Sequence, residues 1–302
     1  MNREQLVYVD GKFVERSKAV VSVFDHGLLY GDGVFEGIRA YDGSVFRLAD
    51  HVDRLFDSAK LIRLKIPLAK HEVTEAVLET LRRNGLRDAY VRLVVTRGSG
   101  DLGVNPALCT NPTVFIIAEP MASTLGPKEP KVVRMTYSSY RRDAVDGTSH
   151  EIKSLNYMNS ILAKIEATSA GADDAIMLDH RGFVSEATVS NIFLVKDGRL
   201  STPSSAAGIL HGITRAYIIA LCSDLGLEVE ERDITPFELN TADEVFLVGT
   251  KAEVLAVGSI SGVSIGTGGA GQVTKRLYAE FSKAVRKPEE GTSAYEAEQV
   301  SA

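Results

Sequence analysis

The chain has 302 residues, 44% of them hydrophobic and 25% charged, ordinary globular usage at a length that predicts two domains of roughly 150 residues each. Its 34 Lys and Arg against 40 Asp and Glu give a formal charge of −6 with no basic block, which argues against a nucleic-acid partner. No apolar run approaches the roughly 18 residues of a membrane span, and the first residues lack a signal-peptide core. Cys109 and Cys222 are too few for a disulfide scaffold, so a cytoplasmic protein is expected.

Residues 6–14 alternate about Asp10-Gly11, a two-residue hairpin signal. Residues 34–41 and 44–47 read as two more strands about Asp42-Gly43. Over 48–64 the period becomes helical, with Leu48, Val52, Leu55, Ala59 and Ile62 recurring at threes and fours. A helix over 70–83 stops near Asn84-Gly85, and 90–96 and 113–118 are strands. These elements predict a small α+β domain at 1–119. Residues 120–130 contain Pro120, Gly126, Pro127 and Pro130 and read as an interdomain linker. A larger domain over 131–286 follows, with strands at 132–138, 175–179, 191–196 and 244–249 and helices at 156–170, 216–225 and 273–284. Residues 287–302 are polar and without hydrophobic period, and are expected to form a loose tail.

Three segments carry chemistry in combination: Glu151-Ile-Lys-Ser-Leu-Asn-Tyr157, Ser185-Glu186-Ala-Thr-Val-Ser-Asn191 and Gly212-Ile-Thr214. They offer an amine, a carboxylate and a backbone turn, parts that suit pyridoxal 5'-phosphate (PLP). Any one lysine is ordinarily a solvated charge. Lys153 stands out through Tyr157, which shares its face if the segment opens a helix. For Glu186 the plain reading is a charge at an exposed strand end. The functional one is a buried carboxylate that keeps a pyridine nitrogen protonated, so that the ring acts as an electron sink. Residues 210–215 precede an apolar helix, where Gly212 permits a phosphate to approach backbone N–H groups; a plain N-cap by Thr214 is the alternative. His26 and His51 lack ligand-like spacing, so no metal site is expected. Gly31-x-Gly33 and 266–271 are turns, since neither has the strand–helix setting of a dinucleotide loop.

From residue 7 to about 285 the chain resembles the fold-type IV PLP-dependent aminotransferases, which share a two-domain, D-amino acid aminotransferase-like α+β architecture. It is most similar to the branched-chain amino acid aminotransferases. The resemblance rests on the stretch from His26 to Tyr41, His51-Val-Asp-Arg-Leu55, Lys153-Ser-Leu-Asn-Tyr157, Ser185-Glu186, Gly212-Ile-Thr214 and Gly249-Thr-Lys-Ala-Glu253. It implies that Lys153 bonds the cofactor and shuttles the proton, that Glu186 partners the pyridine nitrogen, and that Tyr157 contacts the ring oxygen. Arg54 would bind the phosphate together with Thr250 and the backbone of Leu210, Ile213 and Thr214, its planar fork matching the oxygens. On local evidence Arg54 also reads as a helix-surface charge paired with Asp50 or Asp53. Phe35, Glu36 and Gly37 would line the substrate side-chain pocket with Tyr30 of a partner subunit, and Tyr90, Arg92 and the turn at Thr250, Lys251 and Ala252 would receive the α-carboxylate.

The chain departs from the family at Lys251, where a small residue is usual, and at 119–126, which lacks the aromatic of many branched-chain enzymes. Lys153-Ser-Leu-Asn is shared with D-amino acid aminotransferases. Phe35-Glu-Gly-Ile-Arg-Ala-Tyr41 favours the branched-chain group, and residues 97–106 lack the Arg-x-His of D-specific enzymes. The resemblance therefore implies reversible ping-pong amino transfer from branched-chain L-amino acids to 2-oxoglutarate in a homodimer or larger homo-oligomer. Arg39, Arg97 and Lys251 are candidates for the second carboxylate of glutamate. The rivals are a D-amino acid or (R)-amine transaminase, an aminodeoxychorismate lyase and, remotely, a non-catalytic PLP-binding scaffold.

Overall fold

The computed structural model describes residues 4–126 and 129–295. The chain divides into two compact units. The first gathers residues up to Ser123, Lys153–Asn156 and those from Ala284 onward; the second holds Thr124–Ile152 and Tyr157–Lys283.

In the first unit, β1 (Leu6–Val9) and β2 (Lys12–Glu15) pair antiparallel across Asp10 and Gly11, whose φ values of 45° and 84° are the left-handed ones that a tight hairpin turn demands. A short helix α1 (His26–Tyr30) leads to β3 (Gly33–Tyr41), which reverses into β4 (Ser44–Phe46). Next come α2 (Leu48–Leu61), α3 (Lys70–Asn84), β5 (Ala89–Thr96) and β6 (Thr113–Pro120). β3 is buried along its whole length. α2 covers one of its faces with Leu48, Val52, Leu55 and Ala59, each at most 2% exposed. Truncating Leu55 to Ala would cost about 2–5 kcal/mol. The helix stops at Leu61, short of the expected 64, and Arg63 beyond it takes a φ of 52°.

The second unit runs β7 (Val132–Tyr137), α4 (Met158–Ser169), β8 (Asp174–Leu178), β9 (Val184–Ala187), β10 (Asn191–Lys196), β11 (Arg199–Pro203), α5 (Ile213–Asp224), β12 (Val229–Arg232), α6 (Pro236–Asn240), β13 (Glu244–Gly249), β14 (Glu253–Ile260), β15 (Val263–Ser264) and α7 (Gln272–Ala284). Among the described residues these strands form one sheet of order β12-β11-β10-β13-β14-β7-β8-β9, with β15 beside β14. It is mixed: β7–β8, β14–β7 and β11–β12 are parallel and the rest antiparallel. β8 shows how its two faces are filled. Ala175 and Met177 meet Ala163 and Ala167 of α4, while Ile176 and Leu178 join the cluster of Met135, Ile192 and Leu247. Small residues on α4 let that helix lie close.

The end of the chain differs from the loose tail expected over 287–302. A last strand, β16 (Gly291–Ser293), pairs with β4, and the first unit's sheet reads β16-β4-β3-β5-β6-β1-β2. The Ala294 amide donates to Gly43 O at 2.8 Å, and the Tyr295 hydroxyl donates to Leu86 O at 2.8 Å. Polar composition hid a strand whose partner is an open sheet edge. Residues 296–302 of that expected tail lie outside the described residues.

Candidate active site

Lys153 is not on a helix. α4 begins at Met158 with Tyr157 as its N-cap, so the expected shared helical face of Lys153 and Tyr157 does not form. Instead Lys153 lies in an extended segment against the start of β3. Its carbonyl accepts from the Phe35 amide at 3.0 Å, its amide donates to Ser58 Oγ at 3.2 Å, and Leu155 N donates to Gly33 O at 3.0 Å. The lysine backbone is thus fixed on both sides. Its Nζ stands 4.6 Å from the centroid of the Phe35 ring, and the Arg92 guanidinium stands 4.3 Å from the same ring.

Successive strand residues face opposite ways, so Phe35 and Gly37 share a face while Glu36 points to the other. The structure therefore removes Glu36 from the pocket lining expected for the 35–37 segment. Its carboxylate, fully buried, receives Arg54 Nε at 2.7 Å, Arg54 Nη2 at 2.8 Å and His51 Nδ1 at 2.8 Å. Arg54 is therefore not paired with Asp50 or Asp53, the local partners expected from sequence: Asp50 pairs with Arg47 and Asp53 with Lys70. Burial pushes the Glu36 carboxyl up, but the charge and bonds of Arg54, with the His51 bond, outweigh it and hold it at about 2. Burial also pulls His51 below the usual imidazole value, against the opposing pull of Glu36.

On the Phe35 face, the β3–β5 register sets Gly37 opposite Arg92 and Arg39 opposite Tyr90. Arg92 Nη2 donates to the Tyr90 hydroxyl at 3.1 Å, and burial raises that phenol's pKa. A Cβ on Gly37 would run into the same hydroxyl, so the glycine leaves the room that the Tyr90 ring occupies. Tyr30 is 39% exposed, with its hydroxyl accepting from Gly103 N at 2.9 Å. Of the cations named for a second carboxylate, Arg97 is committed to Asp32 through two bonds of 2.9 Å and to the carbonyls of Ile62 and Arg63. Arg39 is buried over the Tyr41 ring, and Lys251 is exposed.

In the second unit, Glu186 lies in β9 and is 3% exposed, so the exposed-charge reading is excluded. Asn191 Nδ2 donates to its Oε2 at 2.8 Å, and the Leu210 amide approaches both carboxylate oxygens at 3.3 Å. Arg142 Nη2 and His150 Nε2 lie 3.4 and 3.5 Å from Oε1. Asn191 also donates to Leu210 O at 2.9 Å, and a Cβ on Gly212 would strike its Oδ1. One asparagine thus ties the carboxylate to the turn that opens α5. Gly212, not Thr214, is the N-cap of that helix, and no side chain caps it; Thr214 lies inside the first turn and is buried. Uncapped N–H groups at a helix start suit an anion. Pairing of Asn191 with Val248 brings the Thr250-Lys251-Ala252 turn to this end of the sheet, beside Ser190. The Tyr157 ring lies 5.7 Å from that of His150.

Asn191, Arg142, His150 and the Glu36–His51 support of Arg54 were not assigned roles from sequence. His51 and Asn191 lay in quoted motifs, and the signal for both was a polar residue beside an assigned one. Among the described residues no group of three or more His, Cys, Asp or Glu could hold a metal, and no helix is long and apolar enough to cross a membrane.

Residues 33–260 match the model of the amino-transferase class IV family. The chain belongs to that family. A putative branched-chain-amino-acid aminotransferase of Methanocaldococcus jannaschii is 54% identical over 275 residues, 91% of this chain and 94% of that protein. The branched-chain-amino-acid aminotransferase of Escherichia coli K12 is 39% identical, with 91% of each chain covered. The T.th. branched-chain amino acid aminotransferase, solved with pyridoxamine 5'-phosphate, superposes with a TM-score of 0.92 at 40% identity, covering 97% of this chain and 99% of that one. It has also been solved with N-(5'-phosphopyridoxyl)-L-glutamate and with 4-methylvaleric acid. The fold is that of the fold-type IV aminotransferases, an α+β class.

Proposed function

We propose that this class IV aminotransferase moves the amino group of branched-chain L-amino acids to 2-oxoglutarate, with PLP as its cofactor. The observation that carries the reading is the arrangement about Asn191: a buried carboxylate, Glu186, held next to an uncapped helix start. That pairing fits a cofactor with a basic ring nitrogen at one end and a phosphate at the other. PLP when bound supplies an electron sink for the substrate's α-carbon electrons. Glu186 takes the ring nitrogen, Tyr157 the ring oxygen, and the N–H groups of Ile213 and Thr214 the phosphate, with Leu210, Thr250 and Arg54 assisting. Lys153 Nζ would take the α-proton from the substrate and deliver it to the cofactor, its backbone anchors keeping the amine in place.

Arg92 and Tyr90 receive a substrate carboxylate, with the Thr250-Lys251-Ala252 turn as a further contact; Phe35 and Gly37 line the apolar part of the pocket. The relative solved with a glutamate adduct and with an apolar acid supports one pocket that accepts both kinds of side chain. Arg97, spent on Asp32, is dropped from the carboxylate candidates. The exposed apolar residues Val20, Val23, Phe24, Leu28, Leu102 and Val104 support a homodimer in which Tyr30 serves the partner's site, and a cytoplasmic location accords with the reaction.

The test is the absorption spectrum of the purified protein before and after L-leucine, D-alanine or (R)-1-phenylethylamine. The expected result is a visible cofactor band that L-leucine alone bleaches, and that 2-oxoglutarate then restores. Bleaching by D-alanine or the amine alone would overturn the substrate assignment. No band after added PLP would overturn the function.

A further inference from the structure

We infer that Glu253 is a positioning residue of the substrate site, one that holds the Thr250-Lys251-Ala252 turn in shape through Thr124. The inference rests on the reading above that this turn meets a substrate carboxylate, and it names what keeps the turn in place. Gly249 and Glu253 face each other across the β13–β14 pair and close a loop of three residues. Hairpins of this length commonly carry one residue in the left-handed region, and glycine is the ordinary choice there. Here Glu253 takes that conformation, with a φ of 57°, and it is 1% exposed. A Cβ makes the conformation costly, and burying a carboxylate adds to the cost. Glycine would incur neither; what the glutamate adds is its carboxylate.

That carboxylate reaches Thr124. Its Oε2 accepts from the Thr124 amide at 2.9 Å and from the Thr124 hydroxyl, while the Thr124 carbonyl accepts from the Tyr278 hydroxyl at 2.6 Å. Tyr278 lies in α7 and is 3% exposed, and all three residues belong to the second unit. Thr124 is thus seated on α7 by its carbonyl and holds Glu253 by two donors. A side chain fixed at its far end fixes its Cα–Cβ direction, and with it the left-handed backbone where the turn enters β14. The opposite end of the turn is set separately, by Gly249 against Ser190. Thr250, which also assists the phosphate, adjoins that end, and Ala252 adjoins Glu253. Loss of the tether should therefore disturb substrate binding more than cofactor binding.

The test approaches the contact from both sides. Glu253→Gly and Glu253→Asn accept a left-handed backbone but lose the reach to Thr124. Thr124→Ala removes the hydroxyl, and Thr124→Ser keeps it. The readouts are KM and kcat for L-leucine, the PLP dissociation constant from titration of the apoprotein, and the apoprotein melting temperature. Both Glu253 variants should raise KM on the order of tenfold, with kcat and PLP affinity within about threefold of wild type. Thr124→Ala should raise KM about threefold and Thr124→Ser less than about twofold. Adding Thr124→Ala to Glu253→Gly should raise KM no further, because both changes break one contact. A wild-type KM in Glu253→Gly, an equal loss of PLP affinity, or additive effects in the double variant would overturn the inference. So would KM changes that follow the melting temperature across the variants. A wild type that binds no PLP would overturn the proposed function itself, whereas an unmoved KM in Glu253→Gly beside an active wild type overturns this assignment alone.

Discussion

Each unit buries a carboxylate, and the two are held in different ways. Glu36 is gripped by a guanidinium and an imidazole: both Arg54 bonds and the His51 bond are 2.7–2.8 Å. Glu186 receives a 2.8 Å bond from the neutral amide of Asn191, with the Leu210 N–H at 3.3 Å and the Arg142 guanidinium at 3.4 Å. A carboxylate locked to a guanidinium is spent, and its service is to fix the direction of Arg54. On the proposed reading the same residue type is a brace in one place and a ligand in the other, although both are buried.

Substitution should separate the two roles. Glu186→Gln should lower kcat on the order of 100-fold, the scale for losing a preorganised electrostatic partner, with little change in melting. Steady-state kinetics and thermal melting on one sample check both halves, and a variant with near-normal kcat would make Glu186 a brace as well. Glu36→Gln should do the reverse, costing about 3 kcal/mol of stability because Arg54 loses its buried partner. The acid limb gives the sign. A Glu36 carboxyl held at about 2 contributes stability that is complete above its ordinary 4.5 and lost as pH falls from there. His51, pulled below its ordinary 6.5, adds in the same direction, since the unfolded chain takes up its proton first. Denaturant titrations should show wild-type stability falling from about pH 6.5 downward, and the Gln variant losing the part below about 4.5. A smaller effect is expected at Gly37→Ala, whose Cβ would displace the Tyr90 hydroxyl from Arg92: KM should rise on the order of tenfold, with melting near normal.

How legible these features were depended on the range of the contact. Asp10-Gly11, Asp42-Gly43 and the stripe Leu48, Val52, Leu55 and Ala59 are local patterns, and the elements appear where the patterns lie. β9 did not stand out because its four residues are all buried, so no alternation marks it, and Ser185 and Glu186 lower its apolar content. β14 opens at Glu253 with a φ of 57°, a backbone that nothing in a Glu announces. Its carboxylate accepts from the Thr124 amide at 2.9 Å, a contact 129 residues away. Arg54 fails in the same way: Asp50 and Asp53 were its visible neighbours, while Glu36 reaches it only once α2 packs on β3. The proposed site residues were named from their motifs, whereas the contacts made to them by Asn191, Arg142, His150 and Glu36 depend on how the strands and loops pack.

Lys251 is where the smallest effect is expected, and it tests whether the Thr250-Lys251-Ala252 turn works through backbone or side chain. The residue is exposed, whereas the turn's geometry is set by its flanks: Gly249 against Ser190, and Glu253 tied to Thr124. An ammonium in water adds little to binding a carboxylate, because solvent screens it. Lys251→Ala should therefore leave kcat/KM for L-leucine and for L-glutamate within about twofold of wild type, with no greater salt dependence. A loss of tenfold or more confined to glutamate would show the side chain reaching the second carboxylate. In that case the turn would be a cation carrier, and a solvent-facing charge would serve the same reaction as the buried Glu36 and Glu186.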